Sequence, residues 1–154
     1  MTYRMSGLEP TPFLPLFGLA EAELARRGAR RMTVTSRPGF PCRTTLDDAE
    51  PGEQMLLLNH LSVPRGVYRA THAIFVTEGR ATAASFDTVI PPALDRRALS
   101  LRAFDGSFDM LDAALVQRGE ADRAIRRLLA DERVATVHAH YATRGCYAAL
   151  VERA

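Results

Sequence analysis

The sequence contains no lysine, only two cysteines and no apolar run of 18 residues. Two cysteines, Cys42 and Cys146, are too few for the disulfide framework of a small secreted scaffold. Without an 18-residue apolar window there is no ordinary membrane-spanning helix, and no membrane partner is expected. Arg4, the apolar run Phe13 to Ala20 and the triplet Ala20-Glu21-Ala22 imitate a secretion signal. Glu9 precedes that run, however, and Pro12 and Pro15 interrupt it, so a cytoplasmic location is the expectation.

All twenty basic residues are arginine, set against eighteen acids for a net charge of +2. Arginine forks pair bidentately with phosphate. Here, though, arginines alternate with acids instead of forming the basic patch of a nucleic-acid-binding protein. No nucleic-acid partner is expected. Richness in alanine and arginine without lysine is what GC-rich codons produce. Chemical motifs are scarce too: there is no Gly-rich phosphate loop, no His-Glu-x-x-His helix and no Gly-x-Ser-x-Gly elbow. No cofactor is expected. Nor is there an internal repeat or an interior linker.

What is present suits one ordinary globular domain. The 154 residues are 47% hydrophobic and 25% charged, enough to bury a core without disulfide or metal staples. Residues 1–17 are punctuated by proline and read as an extended arm docked through Phe13, Leu14, Leu16 and Phe17. A short helix is predicted over about 20–27, with Glu21 and Glu23 in its first turn and Gly28 as its stop. Met32 to Thr35 reads as a strand, followed by a turn-rich loop that delivers Cys42 and Arg43.

Gln54 to Leu61 is apolar on both faces, the pattern of a central strand. Val67 to Thr77 follows across Pro64-Arg65-Gly66 as its antiparallel partner. Pro91-Pro92 opens a loop or single helical turn. Ala98 to Asp105 and Asp109 to Val116 pair across Asp105-Gly106. The clearest element is a helix over about 120–130, with Ala121, Ala124, Ile125, Leu128 and Leu129 along one stripe. Arg133 to Tyr141 and Cys146 to Glu152 read as a terminal hairpin. The predicted fold is therefore α+β: a mostly antiparallel curved sheet or partial barrel with the 120–130 helix packed on it.

Few residues invite chemistry. His138 and His140, two apart on a strand, share a face and suit joint ligation of zinc, although no second motif supplies a third ligand. His60 and His72 are in phase with Leu56, Leu58, Ile74 and Val76, as core histidines would be. Cys42 and Cys146 have Arg43 and Arg144 near in sequence, and positive charge favours the nucleophilic thiolate. Free cysteine is also among the most buried residue types. Arg102, mid-strand between Leu101 and Ala103, must face solvent or be paired. One reading gives it a carboxylate partner that stabilises the sheet; the other makes Arg102 and Arg43 a clamp for a small carboxylate or phosphate. Glu78 and Asp105, each at a strand end, read as turn residues.

Several segments carry a family resemblance: Pro38-Gly39-Phe40-Pro41-Cys42-Arg43, Asp48 to Glu53 leading into Leu56-Leu57-Leu58-Asn59, and His72 to Val76. Leu99 to Asp105, Val137-His138-Ala139-His140 and Gly145-Cys146-Tyr147 continue it. In these the chain resembles the bacterial domain-of-unknown-function family 1203. That family has asparagine after the second histidine, where this chain has Tyr141. The resemblance implies a free-standing bacterial domain without an assigned activity, and it directs attention to Cys42, Arg43, Arg102, His138 and Cys146.

Three functional classes follow. The favoured one is a small-molecule-binding domain holding an anionic metabolite with Arg43, Arg102 and His138. The second is an enzyme, either metal-assisted through His138 and His140 or thiol-based through Cys42 or Cys146. The third is a homodimeric interaction module.

Overall fold

In the computed structural model, which describes residues 1–154, nine strands form two antiparallel sheets. The strands are β1 (Tyr3–Ser6), β2 (Arg30–Thr33), β3 (Gln54–Val63), β4 (Ala70–Thr77), β5 (Ser85–Asp87), β6 (Leu99–Phe104), β7 (Met110–Val116), β8 (Thr136–Tyr141) and β9 (Tyr147–Arg153). The larger sheet has the order β5-β1-β9-β8-β6-β7, and the smaller has the order β2-β3-β4. Three α-helices, α1 (Glu21–Arg26), α2 (Pro92–Asp95) and α3 (Ala121–Leu129), and a 3-10 turn at Thr11–Leu16 complete the chain. Neither sheet closes into a barrel.

The α3 stripe forms as its spacing requires. Ala121, Ile125, Leu128 and Leu129 are buried against Leu99, Leu101 and Ala103 of β6 and Val137 and Ala139 of β8. Burying the Ile125, Leu128 and Leu129 side chains stabilises by about 1.5–3 kcal/mol each. Arg153 ties the helix end down by donating to the Leu129, Asp131 and Val134 carbonyls. α3 thus covers one face of the larger sheet. The other face, carrying Ser100, Arg102 and Phe104 opposite His140, His138 and Thr136, is left for the smaller sheet, whose β4 lies against β9.

The arm expected to be extended contributes the strand β1, which slots between β9 and β5 with Tyr3 and Met5 fully buried, and departs from that expectation in the 3-10 turn at Thr11–Leu16. Phe13 docks in the 3-10 turn as anticipated, while Leu14 stays exposed. Just beyond β1 the backbone meets the loop that carries Arg43. Leu8 N–H donates to the Arg43 carbonyl at 2.8 Å. A Cβ on Gly7 would run into the Thr44 carbonyl oxygen, so this approach requires glycine. On its other side, Arg43 N–H donates to the β4 residue Phe75 at 2.9 Å.

Candidate functional site

All four histidines of the chain meet where the sheets face each other. His138 and His140 project from β8 on the face away from α3. His60 and His72 are register partners across β3 and β4. They share a face with Leu56, Leu58, Ile74 and Val76, but lie toward the opposite end of the hairpin from Leu56 and Val76. That end reaches β8 and β9: the His72 and His140 rings are 5.0 Å apart, and His60 lies 5.2 Å from the Tyr147 ring. Phe104 closes on His138 at 4.8 Å.

Among these rings lies Arg102, directly opposite His138 in the β6–β8 register. The expected carboxylate partner is not there. Most arginines of the chain form ion pairs. Arg102 forms none, and its one side-chain bond is to the Ser100 hydroxyl at 3.3 Å. Burial alone pulls its pKa below the usual arginine value, with no acid to oppose it.

The imidazoles register the same one-signed field. Burial, and then the neighbouring His60, Arg102 and His72, push His138 down to about 4. Burial and then Arg102 push His140 down to about 3, although its bond to the Gly145 carbonyl pulls the other way. His60 and His72 are lowered as well, first by burial; Arg43 acts on both, and Arg102 also acts on His72. At neutral pH the cluster therefore holds uncharged imidazoles beside charged guanidinium. Two of its ring nitrogens, His72 Nε2 and His138 Nδ1, are sealed from solvent without a partner. Such orphans are uncommon in folded proteins.

Arg43 is built differently. It is 2% exposed and donates from Nε to the Tyr147 carbonyl at 2.7 Å, from Nη1 to the Pro41 carbonyl at 2.7 Å and from Nη2 to Cys146 Sγ at 3.0 Å. Its guanidinium lies 4.9 Å from the Tyr141 ring centroid, and that of Arg97 lies 5.2 Å from it. Arg97 in turn grips Asp48 with two nitrogens, at 2.6 and 3.0 Å. Tyr141 thus packs against two cations, its hydroxyl buried without a partner and its pKa pushed by burial to about 12.

The sequence-predicted residues therefore separate. Arg102, His138 and His140 share one face of the larger sheet, and His72 meets them from the smaller sheet. Arg43 and Cys146 lie in contact at the adjoining β8–β9 turn. Cys42 is buried apart, among Val34, Ala49 and Met55. Glu78 is a structural anchor, pairing with Arg31 at 2.9 Å and accepting from Gly18 N–H. No three His, Cys, Asp or Glu side chains stand close enough together to hold a metal ion.

Sequence reasoning placed His60 and His72 in a plain core. Their phase was right, but pleat parity does not reveal which end of a hairpin meets another sheet. Two surface hollows lie elsewhere, one between β7 and α3, the other beside Gly18 and Glu78. Neither holds a sealed, unpartnered polar atom, so chemistry rather than concavity marks the candidate site. No curated protein and no solved structure matches the chain. The family described as "Protein of unknown function (DUF1203)" matches residues 39–153, and the chain belongs to that family.

Proposed function

We propose that the chain binds a small oxyanionic metabolite between its two sheets. Arg102 is the anchoring cation, His138 a donor beside it, and Arg43 an added source of positive potential. One observation carries this reading: a half-buried guanidinium lies among three imidazoles, those of His72, His138 and His140, and no acid, with a single internal hydrogen bond. A guanidinium has five N–H donors, and an uncompensated charge withdrawn from water costs stability. An oxyanion would give Arg102 what Asp48 gives Arg97. Arg43 already spends donors on two carbonyls and a thiol, so it contributes field rather than a fork.

The test is Arg102→Leu, which keeps much of the apolar stem and removes the charge. We expect the variant to match the parent in stability or exceed it by about 1 kcal/mol, as when other uncompensated buried charges are removed. It should also lose the rise in melting temperature that phosphate, citrate or glycolate gives the parent. A variant several kcal/mol less stable, together with a parent indifferent to every anion, would make Arg102 a structural residue and end the proposal.

A thiol-based activity keeps one specific support, the guanidinium proton that Arg43 directs at Cys146 Sγ.

A further inference from the structure

We infer that the oxyanion held at Arg102 carries its own hydroxyl, which it donates to His140 Nε2. This rests on the oxyanion reading above and narrows its ligand class.

The argument begins with one hydrogen bond. His140 Nδ1 lies 3.0 Å from the Gly145 carbonyl oxygen. A carbonyl only accepts, so Nδ1 carries the ring proton, and in a neutral imidazole Nε2 is then a bare lone pair. A second proton is disfavoured by burial and by the charge of Arg102. Nε2 makes no hydrogen bond within the chain, and it is not among the side-chain atoms sealed from solvent. It is an unpartnered acceptor on a side chain that is only 1% exposed, on the face that carries Arg102, with Ser100 directly opposite in the register.

His138 completes the pattern. Its Nδ1 is sealed without a partner. A buried orphan acceptor is better tolerated than an orphan N–H, so the proton belongs on Nε2. The face thus offers guanidinium donors, one imidazole donor and one imidazole acceptor. A bare carboxylate satisfies the donors but sets lone pair against lone pair at His140. A carboxylate with an adjacent hydroxyl, or a phosphate that retains a proton, satisfies all of them. An amino acid also brings a donor, but as an ammonium beside Arg102 and the field of Arg43. The shared chemistry is an oxyanion bearing O–H.

The experiment titrates the full chain with acetate, methoxyacetate, glycolate and inorganic phosphate, following the histidine resonances by NMR between about pH 5.5 and 7.5, where an unperturbed imidazole changes charge. Methoxyacetate is glycolate with its donor capped. The comparisons among probes use the parent protein, so no variant's folding enters them; Arg102→Leu serves only to tie binding to the site. We expect glycolate to bind about tenfold tighter than methoxyacetate, the value of one good hydrogen bond, with an affinity flat across this range. Glycolate tighter than phosphate assigns a hydroxycarboxylate; the reverse assigns a phosphate. Methoxyacetate or acetate equal to glycolate, each weakening about tenfold per pH unit, would mean that His140 takes up a proton instead. That result overturns the hydroxyl and leaves the oxyanion site standing. Binding of no probe, or binding unchanged in Arg102→Leu, removes site and inference together.

Discussion

Cys42 and Cys146 both lie close to an arginine in the sequence, but only Cys146 receives a guanidinium proton and only Cys146 reaches the surface. Cys42 is fully enclosed, and its sulfur accepts from Thr77 N–H at 3.3 Å. Burial pushes the Cys42 thiol up, and hydrogen bonds from Thr77 and Thr45 outweigh it, so the net shift is downward. Reactivity needs access as well as thiolate character, and Cys42 has no access. In the native protein, iodoacetamide should therefore label Cys146 and spare Cys42, as read by peptide mass spectrometry. Arg43→Leu should slow that labelling severalfold by removing the charge at the sulfur. Labelling of Cys42 alone, or a rate indifferent to Arg43→Leu, would remove the thiol reading. Sequence adjacency treated the two thiols alike because it cannot register which side of a strand or loop meets solvent.

At the scale of elements, legibility followed the length of the pattern. α3 announces itself by five apolar residues on one stripe, and the β3–β4, β6–β7 and β8–β9 hairpins by continuous or alternating apolar runs broken at turns. β1 and β5 span four and three residues, too few for a period to emerge. They exist because β9, some 150 residues downstream of β1, offers an edge. The loop between β2 and β3 is another case in which long-range partners decide the structure. Its Asp48 side chain is 0% exposed and accepts from Gly39 N–H, Arg96 and both Arg97 nitrogens. These donors hold its carboxyl below the usual range against the upward push of burial. Asp48→Asn keeps the shape but leaves Arg97, which flanks Tyr141, without its carboxylate partner. Breaking such a pair costs about 3–5 kcal/mol, and urea denaturation at neutral pH should read a loss of that size. A change under 1 kcal/mol would mean that the loop is held by its backbone bonds alone.

At the scale of the whole molecule, the candidate site is a product of topology. Arg102 and His138 were singled out from local context, but no local pattern brings His60 and His72 to them; that requires the smaller sheet to pack on the face that α3 leaves open. The packing has a measurable consequence in the acid range. At pH 7 His138 and His140 are neutral whether the chain is folded or not. Below the ordinary imidazole value of 6.5 an unfolded chain takes up their protons, whereas the folded cluster refuses them until about pH 4 and about pH 3. The facing groups are Arg102, Arg43, His60 and His72, none of which attracts a proton to the cluster; only the Gly145 carbonyl on His140 favours the charged ring. The unfolded state thus binds more protons, and stability must fall as pH falls, by about 1.4 kcal/mol per pH unit for each ring. The lowered carboxylates begin to lose their contribution only as pH nears their ordinary values, 4.5 for Glu78 and 3.8 for Asp48 and Asp131. The upper part of the interval, from pH 6.5 to about 5, therefore belongs to the histidines. Urea midpoints should drop steeply across it, and replacing His138 with phenylalanine should flatten the slope by about one proton. Midpoints constant down to pH 4.5 would mean that the imidazoles accept protons in the folded chain, which would require a counter-charge that this cluster does not contain.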